Sequence, residues 1–231
     1  MAYVHRAAVA QKKNAAERDA LILLLMTIPS YWKQASRELA QRDSVLRRLI
    51  KIHSGLAMRS RGDAFMTLAR SIVGQQISLK AADTVWQKIL ATVPAISAQH
   101  IAKADSAELR NCGLSGKKVL YLQDLAQSIV SGSLDVAEWK RLDDNELIAE
   151  LTQIKGIGRW TAEMFLIFYM MRPDVLPLDD LGLQRAMSMH YNNSRPLSKL
   201  KMRAIAKEWT PWRSVATWYL WRSLDPIPVE Y

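Results

Sequence analysis

Two adjacent carboxylates, Asp179 and Asp180, follow Leu176-Pro177-Leu178. A fixed carboxylate stabilises positive charge that develops on a reacting centre and helps to deprotonate an attacking water. The same pair equally suits the start of a helix, where aspartate accepts backbone N–H groups. The eight tryptophans offer flat, electron-rich faces, and a planar cation stacked there gains about 0.5–2 kcal/mol. The alternative is a core role, because Trp209, Trp212, Trp218 and Trp221 recur at helical spacing. His5, His53, His100 and His190 have no metal-ligand spacing, so no catalytic transition metal is expected. The single cysteine, Cys112, excludes an intramolecular disulfide, a four-cysteine zinc site and a cysteine-ligated iron–sulfur cluster.

Around these residues, the most informative stretch is 143–185. A helical pattern carrying Leu147, Ile148, Leu151 and Ile154 meets Lys155-Gly156-Ile157-Gly158, and a second helix opens at Arg159-Trp160-Thr161-Ala162. Two glycines around one aliphatic residue permit a tight hairpin, with the Ile157 side chain pointing back between the helices. The freed amides then lie at a helix N-terminus, where donors and dipole both favour an anion. A DNA phosphate fits, met through backbone atoms and so without sequence preference. Gly156, Gly158, Lys155 and Arg159 are the DNA-binding candidates of this stretch. A lone Gly-x-Gly is more often only a turn, and its position between two helices of a basic chain is what raises it above that.

The elements that position these residues read as helical almost throughout, with no window alternating at the strand period. About ten helices joined by short connections are expected, an all-α chain. Asp105 with Glu108 and Asp143 with Glu146 have capping-box spacing. Thr210 before Pro211 reads as a cap followed by proline at the first helical position. The chain has 231 residues and a formal charge of +10. Between residues 31 and 61 Lys33, Arg37, Arg42, Arg47, Arg48, Lys51, Arg59 and Arg61 stand against Glu38 and Asp43. A polyanionic partner and a merely solubilising surface explain that excess equally well. The apolar run at residues 20–26 is shorter than the roughly 20 residues that span a bilayer. Its acidic flank, Glu17 and Asp19, does not suit a signal peptide. The expectation is a soluble, cytoplasmic protein, nucleoid-associated if bacterial, with no membrane partner.

Residues 151–162, followed by Leu176-Pro177-Leu178-Asp179-Asp180-Leu181, resemble the helix-hairpin-helix–GPD superfamily, and within it the DNA-3-methyladenine glycosylase II branch. Ile72-Val73-Gly74-Gln75-Gln76-Ile77-Ser78, Gly113-Leu114-Ser115 with Lys117 and Lys118, and Trp209-Thr210-Pro211-Trp212-Arg213-Ser214 are similar too. The likeness runs over about residues 43–224, and the N-terminal sheet domain of some relatives is not expected here.

The resemblance implies two helical lobes with a central DNA-binding cleft. One lobe holds residues 63–170, and the other combines residues 1–62 with 171–231. It implies a monomer that flips an alkylated base from double-stranded DNA and hydrolyses its N-glycosidic bond. Asp180 matches the catalytic aspartate, while Asp179 is read as capping the helix near Leu181. Trp160 and Trp221 match pocket-lining positions, and Met164 stands where a relative has an aromatic residue. Relatives that also cut the backbone carry a Schiff-base lysine at the Trp160 position, so this chain is expected to stop at an abasic site. Gln76 matches the residue that fills the hole left by the base; the alternative is a helix-terminal glutamine satisfying backbone groups. The resemblance implies no catalytic cofactor and one structural monovalent cation, Na or K, on the carbonyls of Thr152, Ile154 and Ile157. A non-catalytic helix-hairpin-helix DNA-binding protein and a glycosylase of the same superfamily for another lesion are the competing readings.

Overall fold

The computed structural model describes residues 27–60, 63–93 and 95–224. The apolar run at 20–26, and the part of the expected N-terminal lobe before residue 27, lie outside the described residues. Those described form twelve α-helices and two 3-10 turns, with no strand among them.

In chain order the helices are α1 (Trp32–Arg42), α2 (Ser44–Ile52), α3 (Ala64–Gly74), α4 (Leu79–Thr92), α5 (Ala98–Lys103), α6 (Ser106–Asn111), α7 (Gly116–Val130), α8 (Asp144–Leu151), α9 (Arg159–Phe168), α10 (Leu181–Tyr191), α11 (Lys199–Ala206) and α12 (Arg213–Leu224). Most begin on a side-chain cap that the sequence announces. Asp143 and Glu146 form both arms of a capping box at α8, and the Asp105 side chain accepts the amides of Ala107 and Glu108 at α6.

The helices pack in two groups. Helices α3 to α7 contact one another, and α9 joins them through α3 while pairing with α8. Helices α1, α2, α10 and α12 form the second group. One carboxylate ties its early and late parts together. Asp43 Oδ1 starts α2 by accepting the amides of Val45 and Leu46 at 2.8 and 3.0 Å. Its Oδ2 accepts the Tyr191 hydroxyl at 2.8 Å and the Trp209 indole N–H at 3.0 Å. All four donors are met by a single half-buried side chain, which joins segments far apart in sequence.

Helix α9 is the axis that carries the site. Every residue from Thr161 to Phe168 is buried, because a helix apolar around nearly its whole circumference has no face to give to water. Only its first turn, with Arg159 and Trp160, reaches outward.

The start of α12 departs from the sequence expectation. Thr210 is no cap and Pro211 no first helical residue; residues 209–212 form a turn with a cis Thr210-Pro211 bond and Trp212 N–H on the Trp209 carbonyl at 2.7 Å. The helix opens at Arg213. Its first amides go to a distant segment: Arg213 N–H to Asp174 Oδ1 at 3.2 Å and Ser214 N–H to the Pro173 carbonyl at 3.0 Å. A cap supplied across the fold replaces the local one.

Candidate active site

Three helices converge on the Asp180 carboxylate. Asp180 is the residue before α10, in extended conformation, and only 5% exposed. Its Oδ1 accepts the Leu183 amide at 2.6 Å and the Trp221 indole N–H of α12 at 2.7 Å. Its Oδ2 accepts the Trp160 indole N–H, from the first turn of α9, at 2.9 Å. Three donors face a group that, when ionised, only accepts. The two tryptophans that the sequence offers as stacking surfaces are therefore also the grip on the carboxylate. Trp221 additionally stacks on Phe168, with ring centroids 5.8 Å apart and an interplanar angle of 18°.

Asp180, not Asp179, caps α10. A cap must stand directly before the first helical residue, and that residue is Leu181. Asp179 is exposed and forms an ion pair with Lys199 at the start of α11. The loop behind them is fixed from below. Arg213 holds Asp174 through two hydrogen bonds of 2.7 and 2.8 Å. Ser214 Oγ donates to the Arg172 carbonyl at 2.6 Å and accepts the Val175 amide at 2.9 Å.

Met164, one turn beyond Trp160, is buried in the core. Its neighbour Glu163 is 3% exposed and had no role in the sequence reading. Glu163 Oε1 accepts Arg159 Nε–H at 3.0 Å, while Oε2 is buried with no hydrogen-bond partner. Burial raises its pKa above the usual carboxylate value; the Arg159 guanidinium opposes this and the charges of Asp179 and Asp180 add to it.

In the hairpin, Gly156 takes φ +85° and Ile157 is buried, as the two-glycine spacing requires. The glycines differ in what demands them. A Cβ on Gly156 would lie 2.3 Å from Tyr121 Cδ2, so the packing of α7 excludes any side chain there. A Cβ on Gly158 would meet nothing within 4 Å, and its φ of −89° suits any residue. Lys155 pairs with Asp124 at 3.5 Å with its side chain 73% exposed, and Arg159, paired with Glu163, is 61% exposed.

Gln76 stands at the turn between α3 and α4, exposed and at φ +59°. Its neighbour Gln75 reaches the hairpin, with Nε2 donating to the Gly156 carbonyl at 2.7 Å. Sequence reasoning missed Gln75, Tyr121, Glu163 and Gly182. A Cβ on Gly182 would lie 3.1 Å from both Asp180 Oδ1 and Trp221 Cδ1. The signal was available, since glycine inside a helix costs about 0.5–1 kcal/mol and usually marks a close approach.

Known proteins share this fold. The family described as HhH-GPD superfamily base excision DNA repair protein matches residues 69–211, more than half of the chain. The chain belongs to that superfamily. DNA-3-methyladenine glycosylase 1 of Schizosaccharomyces pombe is 34% identical over 165 residues, 70% of this chain and 72% of that protein. The solved structure of the S. pombe 3-methyladenine DNA glycosylase with abasic DNA superposes with a TM-score of 0.71 at 31% identity, covering 82% of this chain and 96% of that one. A DNA-3-methyladenine glycosidase from Bacillus halodurans gives 0.72 at 34% identity, over 81% and 87% of the two chains. The all-α, two-lobed HhH-GPD fold is thus the fold of this chain.

Proposed function

We propose that this HhH-GPD protein is a monofunctional DNA glycosylase that hydrolyses the N-glycosidic bond of alkylated purines, of the 3-methyladenine and 7-methylguanine type, in duplex DNA. One observation carries the reading: a buried carboxylate, Asp180, gripped by two indoles at the mouth of the hairpin helix. As the base departs, positive charge grows on the sugar, and a preorganised carboxylate stabilises it and helps take the proton of the attacking water. An alkylated purine is already cationic, so it leaves readily and favours an electron-rich surface such as the Trp160 and Trp221 rings. Neither indole has a nucleophilic amine for a Schiff base, so the product is an intact abasic strand.

The hairpin amides around Gly158 take a backbone phosphate, with Lys155 and Arg159 beside them, and the duplex lies between the two helix groups. Gln76 fills the place of the extruded base. A monovalent cation fits the hairpin carbonyls of Thr152, Ile154 and Ile157. The Ile154 carbonyl uses one lone pair on the Ile157 amide at 3.0 Å and keeps a second. Such a cation would add positive charge beside the phosphate. The protein acts as a monomer in the cytoplasm; no helix of the described residues is long and apolar enough to cross a membrane.

The test is release of methylated purines from alkylated duplex, with strand integrity checked, by wild type and Asp180→Asn. Free 3-methyladenine from wild type alone, with abasic strands unbroken, is the expected result. Tight, salt-sensitive binding with no release from wild type would move the assignment to a DNA-binding protein without catalysis.

A further inference from the structure

Lys118 lies on α7, outside the site described above, yet its half-buried ammonium group is committed to the turn that presents Gln76. Its Nζ donates to the carbonyls of Val73 and Gln75, both at 2.7 Å. These are orphan acceptors at the C-terminal end of α3, where the helix dipole favours a cation. Burial lowers the Lys118 pKa from the ordinary lysine value, but two carbonyl acceptors still suit an ammonium donor. The next turns of the same helix serve the hairpin. Tyr121 packs against Gly156, and Asp124 pairs with Lys155 at 3.5 Å. Gln75 closes the circuit through its bond to the Gly156 carbonyl. One face of α7, spaced at Lys118, Tyr121 and Asp124, thus braces the Gln75-Gln76 turn and the hairpin as a unit.

We propose that Lys118 is a positioning residue: it locks the Gln75-Gln76 turn to the hairpin, so that seating the hairpin on a phosphate delivers Gln76 to the base stack in register. The inference rests on the glycosylase reading and adds a residue to it. Gln76 sits in left-handed backbone, a conformation unfavourable to a non-glycine residue unless its surroundings impose it. The Lys118 bonds to the carbonyls of Val73 and Gln75 supply that constraint. Without them the turn has freedom to relax, and Gln76 is no longer aimed.

Lys118→Met keeps the apolar stem and removes the donors. Its single-turnover release of 3-methyladenine should fall about tenfold, as expected for a displaced positioning group. Fluorescence of 2-aminopurine placed beside the lesion should show slower flipping, and affinity for undamaged duplex should stay within about twofold. Lys118→Arg should recover most of the rate. The deciding comparison is the cycle with Gln76→Ala: if Lys118 acts through Gln76, the double variant is no slower than the slower single variant by more than about twofold. Losses that multiply, or an equal loss of affinity for undamaged duplex, would overturn the proposal. Amide hydrogen exchange at residues 75–78 is read in parallel without DNA. Faster exchange in Lys118→Met is expected and unchanged protection overturns the brace, even if wild type releases no base and the glycosylase reading itself has failed.

Discussion

Replacing Asp180 by asparagine tests both its charge and its place in the scaffold. Asparagine still caps α10, because its side-chain oxygen can accept the Leu183 amide and the Trp221 indole as Oδ1 does now. The amide nitrogen then takes the place of Oδ2, 2.9 Å from the Trp160 indole nitrogen, and two donors face each other. A buried donor left without an acceptor costs about 1–3 kcal/mol. At about 2–4 °C per kcal/mol for a chain of this size, Tm should drop by roughly 2–12 °C. Excision should fall by about 10²–10³ or more, the usual cost of losing a preorganised charge-stabilising group. The two effects are separable. Trp160→Phe in the Asp180→Asn background removes the opposing donor and keeps an apolar ring, so calorimetry should show Tm partly recovered while excision stays lost. If activity returns with stability in the double variant, the carboxylate is scaffold and not catalyst. An unchanged Tm in Asp180→Asn alone would refute the bond between Trp160 and Asp180.

The two hairpin glycines should part company on mutation. Gly158→Ala adds a methyl group into open space at an ordinary φ, so Tm should hold within about 2 °C or rise slightly, while duplex affinity falls roughly tenfold by obstructing a phosphate. Gly156→Ala instead drives Cβ into Tyr121 at φ +85°, and should cost about 1–3 kcal/mol in denaturant melts; unchanged stability there would reject the packing argument. Glu163 has its pKa raised, by burial first, so its contribution to stability is fully present below the ordinary carboxylate range and is lost as pH rises through the raised value. Melts of Glu163→Gln from about pH 5 to about pH 8 should therefore show the variant gaining on wild type as pH rises, and a gap that shrinks would contradict the sign. Asp43→Ala should cost roughly 3 kcal/mol or more, because it removes the cap of α2 and strands the Tyr191 hydroxyl and the Trp209 indole; a loss under about 1 kcal/mol would refute its role as the tie.

Much of this protein is legible in its sequence because much of it is local. Helix starts follow from caps a few residues away, and the period of apolar residues marks which faces are buried. The hairpin follows from two glycines and an isoleucine, since left-handed backbone at Gly156 and burial of Ile157 are decided within one turn. The order of the motifs, from Gln75-Gln76 to Arg213-Ser214, carries the family, and with it the assignment of Asp180.

Tertiary structure decided what those residues are held by. Gly156 reads in the sequence as a DNA-binding candidate of the hairpin, yet a side chain from α7 fills the space beside it. Thr210 and Pro211 read as a helix start, yet Asp174 and Pro173 cap α12 from across the fold. Asp179 and Asp180 are adjacent and chemically identical; only the position of Leu181 as first helical residue makes one the cap and leaves the other to Lys199. The same holds for Lys118, whose two carbonyl partners lie more than forty residues upstream. A sequence specifies short-range hydrogen bonds because the partners are fixed by backbone geometry a few residues away. Bonds that close over long loops depend on how whole helices pack, and in this protein those are the bonds that surround the carboxylate and tie the Gln75-Gln76 turn to α7 and the hairpin.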